Sequence, residues 1–102
     1  MQHTQVISEI NITPVKPQAG LVAFASFVLF EAVYCGSVAI FTRPTGSYRL
    51  SYPNRRIAGR DIDVYYPINK EVGTIIEQAV ISKYDEVVSK NNVRHDITQH
   101  TN

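Results

Sequence analysis

Cysteine occurs once in the 102 residues, as Cys35, so no intramolecular disulfide can form, and this usage fits a reducing compartment. No apolar run approaches the ~20 residues of a membrane-spanning helix. The richest, Leu21 to Phe30, is half that length and is followed at once by Glu31. The opening Met1-Gln2-His3-Thr4-Gln5 has neither a basic leader nor an apolar signal core, which makes the cytoplasm the expected location. The five glycines are scattered at positions 20, 36, 46, 59 and 73, which excludes a glycine-rich phosphate loop. His3, His95 and His100 are confined to the ends and lack zinc-ligand spacing, and Cys35 has no histidine near it in sequence. Asp61 and Asp63 share one side of an extended segment without a third ligand nearby. No nucleophile, base and oxyanion donors can be assembled from these residues, so the chain is expected not to be an enzyme. No metal, cofactor or small-molecule substrate is expected either.

What is present is an ordinary globular composition, 44% apolar and 19% charged, in a length suited to one domain. The formal net charge is only +1, but it is unevenly distributed. Residues 1–42 carry Lys16 against Glu9 and Glu31, and residues 61–102 are acidic on balance. Between them, residues 43–60 carry Arg43, Arg49, Arg55, Arg56 and Arg60 and no acid at all. Every charge in this island is a guanidinium, whose planar fork of donors matches phosphate oxygens and stacks on bases.

The hydrophobic pattern predicts strands first and a helix last. Val6 to Ile12 alternates with period two and is expected to end at Pro14 and Pro17. Leu21 to Phe30 is apolar on both faces and is expected to be a central strand, and Val33 to Thr42 reads as a third. Arg43-Pro44-Thr45-Gly46 supplies a turn, Tyr48 to Tyr52 a fourth strand, Pro53 to Gly59 a polar arginine loop, and Ile62, Val64 and Tyr66 a fifth strand. After Pro67 the period changes. Val72, Ile75, Ile76, Ala79, Val80, Tyr84, Val87 and Val88 recur at three- and four-residue spacing, on one stripe of a helix from about Lys70 to Lys90, with Asn69 as its N-cap. Residues 91–102 have no periodicity and read as a flexible tail. The expected architecture is a single α+β domain over residues 1–90, in which an antiparallel sheet of about five strands carries one C-terminal helix on one face. The second apolar face of Leu21 to Phe30 then needs a cover. A second copy is the simplest, through a two-fold interface or strand pairing at a sheet edge, so a homodimer is expected.

The arginine island has two readings. In one it is a solvated surface whose guanidinium groups pair with Asp61, Asp63 and other acids. In the other it contacts phosphates, with Tyr48, Tyr52 or Tyr65 available to stack on unpaired bases. Tyr66 and Tyr84 are in phase with Ile62 and Val64 and with the helical stripe, which assigns them to packing.

The string Tyr52-Pro53-Asn54-Arg55-Arg56, then Gly59, then Asp63-Val64-Tyr65-Tyr66-Pro67-Ile68-Asn69, then a helix with Ile76, Ala79-Val80 and Tyr84, resembles the septation and sporulation regulators known as stage V sporulation protein G, SpoVG. The family's analogous pieces are a Pro-Ser-Lys-type loop, a glycine, an Asp-Ile-x-aromatic-or-His-Pro-Ile stretch and a helix ending at tyrosine. The layout of Val6 to Thr42, with Ala23-Phe24-Ala25-Ser26, is similar too, so the resemblance covers residues 6–88. It implies a small α+β fold, a homodimer, and a cytoplasmic regulator that binds DNA and RNA and influences septation, sporulation or gene expression. By that resemblance the nucleic-acid-contacting basic loop is represented by Arg55 and Arg56, the expected principal phosphate contacts, and the rest of the island adds Arg49 and Arg60 in support. The family's Arg-Gly-Lys-like segment at the helix start is replaced here by Val72-Gly73-Thr74. Lys70 supplies a positive charge beside it, where a helix start already favours anions. The alternative is a protein–protein interaction module in cell-division or regulatory control, with arginines that recognise acidic surfaces and bind no nucleic acid.

Overall fold

A computed structural model describes residues 5–100, with side chains as far as Lys90. Four strands, β1 (Ile7–Gln18), β2 (Leu21–Leu29), β3 (Val33–Thr42) and β4 (Tyr48–Ser51), form an antiparallel meander in the order β1-β2-β3-β4. Two further strands, β5 (Asn54–Ile57) and β6 (Arg60–Asp63), pair only with each other. The helix α1 (Lys70–His100) packs on one face of the larger sheet, giving the α+β architecture.

The meander follows from its turns. Gln18 pairs with Leu21 across Ala19 and Gly20, both at positive φ (52° and 89°), the handedness that suits a two-residue hairpin. Between β2 and β3, Phe30 and Glu31 take the same region (52° and 55°), and the Ala32 amide donates to the Leu29 carbonyl at 2.9 Å. Positive φ is uncommon for a residue as bulky as phenylalanine, and here flanking bonds hold it. The Phe30 amide donates to the Val6 carbonyl at 2.9 Å, and the Gln5 amide to the Glu31 carboxylate at 3.0 Å.

Period-two alternation then decides what is buried. Ala23, Ala25 and Phe27 of β2, with Cys35, Val38 and Ile40 of β3, form the helix-facing side of the sheet. Ile76, Val80 and Tyr84 of α1, spaced by four, close on them, while Val72 and Val88 continue the stripe half-buried. Tyr84 also meets Tyr48 of β4 edge-on, with ring centroids 5.2 Å apart. The helix begins where the sequence places it: the Val72 amide donates to Asn69 Oδ1 at 2.9 Å.

Three expectations are corrected. Strand β1 runs through Pro14 and Pro17, because it lies at the edge of the sheet, where a missing N–H need not interrupt a ladder. The segment expected to be an arginine loop contains strand β5, so the strands divide into four and two. The helix backbone passes Lys90-Asn91-Asn92 and continues to His100. The side chains of residues 91–100 and all of residues 101–102, on which the tail expectation falls, lie outside the described residues.

Tyr65 joins the segment between β6 and α1 to the sheet. Its hydroxyl donates to the Gly36 carbonyl at 2.6 Å, and its ring meets Tyr52 edge-on at 5.9 Å. Burial, aided by the nearby Cys35 and Glu77, pushes the Tyr52 phenol from the ordinary 10 up to about 12, and burial raises Tyr65 as well. The folded protein therefore keeps phenolic protons that the unfolded chain releases. Their contribution to stability is complete below about pH 10 and falls as pH rises from there through the folded values. Tyr65→Phe strands the Gly36 carbonyl and should cost about 1–2 kcal/mol in urea denaturation at neutral pH. The same variant should show a shallower loss of stability between about pH 10 and 12 than the parent. An unchanged alkaline profile together with an unchanged urea midpoint would remove this bond from the fold's supports.

Candidate nucleic-acid interface

Three arginines of the island, Arg55, Arg56 and Arg60, are displayed on a two-stranded ribbon. Ile57 pairs with Arg60 across Ala58 and Gly59, both at positive φ (52° and 76°), so the hairpin turns in two residues. The register places Asn54 opposite Asp63, Arg55 opposite Ile62, Arg56 opposite Asp61 and Ile57 opposite Arg60. Directly opposed residues share a face. One ribbon face thus carries Arg55, Ile57, Arg60 and Ile62, and the other carries Asn54, Arg56, Asp61 and Asp63. All eight residues are exposed.

This geometry separates the two arginines expected to act together. Arg56 Nη1 lies 3.2 Å from Asp61 Oδ1, in an ion pair whose partners are both well exposed. Arg55 and Arg60 lie on the opposite face, and among the described residues neither forms an ion pair. Arg49 is placed elsewhere. On β4 it lies opposite Phe41, and its guanidinium sits 4.5 Å from the centre of that ring, on the sheet face turned away from α1. Lys70 is the first residue of α1, one position after the Asn69 cap, and is exposed. Arg43 opens the β3–β4 turn, its amide donating to the Ser47 carbonyl at 2.8 Å.

The tyrosines also part from expectation. Tyr48, Tyr52 and Tyr65 are half-buried, packed against Tyr84 and against each other, and of the three only Tyr52 borders the hollows on the open face of the larger sheet among the described residues. Tyr66, expected to pack, is 56% exposed. It belongs to an exposed apolar series, Ile62, Val64, Tyr66 and Ile68, that leads from the ribbon towards the helix. The fifth strand expected over Ile62, Val64 and Tyr66 ends at Asp63, so Tyr66 lies beyond it, and neither ribbon face lies on the helix-packed core. Tyr34 and Phe24 are exposed aromatic rings on the open face of the larger sheet. Sequence reasoning missed both, and the one available signal was the second apolar face of Leu21 to Phe30.

Cys35 is buried in the core, and burial pushes its thiol up. Among the described residues no three His, Cys, Asp or Glu side chains gather as a metal site, and no helix is long and apolar enough to cross a membrane. His3, His95 and His100 lie outside the residues whose side chains are described. The chain matches no model of a known protein family, and no curated protein matches it.

Proposed function

We propose that the chain is a homodimeric nucleic-acid-binding regulator of the SpoVG type, acting in the cytoplasm on septation, sporulation or gene expression, and not an enzyme. The observation that carries this reading is the ribbon: it displays three of the five arginines of the acid-free segment 43–60, and its Arg55 and Arg60 project from one exposed face, opposite the face that carries Asp61 and Asp63. Unpaired guanidinium groups at a hairpin tip suit phosphate oxygens. The resemblance adds to it, since Tyr52-Pro53-Asn54-Arg55-Arg56 leads into this ribbon and Asp63 to Asn69 leads from it to the helix cap.

Dimerisation is supported by a second feature of the same region. Isolated two-stranded ribbons are marginal in water. This one exposes Ile57 and Ile62 and is continued by Val64, Tyr66 and Ile68, the last 91% exposed. A second copy joined along Val64, Tyr66 and Ile68 would cover them and bring two sets of Arg55 and Arg60 to one rim. The same stripe favours the second reading, a module that recruits a different protein.

Fluorescence-anisotropy titration with short DNA and RNA at several salt concentrations, beside sedimentation of the free protein, tests both readings. The expected result is a mass near twice 11.5 kDa and a log affinity that falls linearly with log salt. Failure to bind either polymer at low salt, with capture of a protein partner that survives nuclease treatment, would replace the first reading by the second.

A further inference from the structure

Helix α1 covers one face of the four-stranded sheet; the other is open. On it stand Phe24 and Ser26 of β2, Tyr34, Ala39 and Phe41 of β3, and Arg49 and Ser51 of β4, as the pairings Phe24–Ala39 and Phe41–Arg49 require. Tyr34 is 72% exposed and Phe24 39%. The Tyr34 ring leans back over the strand at Gly36, where a Cβ would come within 3.0–3.3 Å of ring atoms. Glycine at that position lets the ring lie along the sheet while the rest of it stays open to solvent. Phe24 stands between two shallow hollows of about 370 and 350 Å³. The first is lined also by Thr13, Ser26, Tyr34 and Ser37, and the second extends past Phe41 and Ser51 to Pro53 and Asn54, at the root of the arginine ribbon.

We propose that this open face binds single-stranded nucleic acid, with Tyr34 and Phe24 stacking on successive unpaired bases and Arg49, held over Phe41, meeting the strand between the platform and the ribbon. The inference rests on the nucleic-acid reading above and adds to it the strandedness of the ligand and a second surface. Three features select this occupant. Flat rings separated by hydroxyls, with no charged side chain lining either hollow, suit the faces and polar edges of nucleobases. The platform runs into the one segment of the chain that is basic without any acid, so a ligand crossing both must be polyanionic as well as aromatic. In a duplex the base faces are already stacked on one another, and only an unpaired strand presents them to a sheet. Rings already set in place reduce the ordering cost of binding.

Anisotropy titrations with labelled oligothymidylate and oligouridylate of about 16 nucleotides, and with a mixed-sequence duplex, test the proposal. The parent protein should favour the single strands. Tyr34→Ala should weaken single-strand binding about tenfold while affecting the duplex far less. Tyr34→Phe, which keeps the ring, should retain the binding that Tyr34→Ala loses, and Gly36→Ala, which displaces the ring, should lose part of it. Equal losses on single strand and duplex, or none on either, with the arginine-dependent salt slope intact, would overturn the platform and leave the ribbon reading standing. No binding of any polymer by the parent would overturn both. A change of sedimenting mass in Tyr34→Ala would assign the face to a second copy and overturn the proposal.

Discussion

Phe27→Ala should lower the free energy of unfolding by about 3–5 kcal/mol, the usual range for a large aromatic removed from a core. Phe27 has no exposed surface and sits on the central strand β2 opposite Cys35, in the layer closed by Ile76, Val80 and Tyr84. A domain of this size has only about 5–15 kcal/mol of total stability, so the variant loses from about a fifth of it to all of it. The informative control is three residues away. Phe24→Ala, on the opposite face of the same strand, should cost about 1 kcal/mol or less, because its ring is already part-exposed. Urea denaturation of the two variants side by side reads the difference. Equal costs would mean that both faces of β2 are covered in solution, as a second copy on the open face would require.

That contrast was half legible in the sequence. Leu21 to Phe30 is apolar on both sides, which announces a central strand without saying which side meets the helix. Elements whose pattern reports burial emerged with their bounds nearly intact: β3 as Val33–Thr42, and α1 beginning at Lys70 behind the Asn69 cap. Elements decided by position within the sheet did not. Pro14 and Pro17 break a strand that needs donors on both sides, but β1 is an edge, and edge status is a property of the assembled sheet. Strand β5 was invisible because Asn54, Arg55, Arg56 and Ile57 are all exposed, so no apolar alternation marks them. Only Ala58-Gly59 hinted at a tight turn. At the other end, Asn91 and Asn92 are weak helix formers and did not stop α1.

The candidate site shows the same division. Composition identified the side chains suited to phosphate, because an island of five arginines without an acid needs no structure to be seen. Their grouping depended on recognising β5 as a strand. Once it is one, the neighbours Arg55 and Arg56 must point to opposite faces, and Arg56 comes to lie opposite Asp61. The aromatic partners were misassigned for a related reason: Tyr52 and Tyr65 are adjacent to the arginines in sequence, but packing turns them towards each other and towards Gly36.

The ribbon register therefore sets an unequal expectation for its three arginines. The double variant Arg55→Ala/Arg60→Ala should lose nucleic-acid affinity by about a hundredfold or more, since each charge-assisted contact is worth about 1.5–3 kcal/mol. Its log–log salt slope should fall by about 1.4–1.8, corresponding to two phosphate contacts. Arg56→Ala should cost less, because part of that guanidinium's charge is already answered by Asp61 at 3.2 Å. Asp61→Asn should act in the opposite direction, releasing Arg56 and tightening binding, most clearly at low salt where exposed charges are least screened. All of these side chains are exposed, so circular dichroism and urea midpoints should hardly move, which separates loss of contact from loss of fold. Should Arg56→Ala match the double variant, or Asp61→Asn weaken binding, the phosphate would have to lie on the Arg56 face. The Arg55–Arg60 face would then be left to the apolar contact between copies, with Ile57 and Ile62 at its centre.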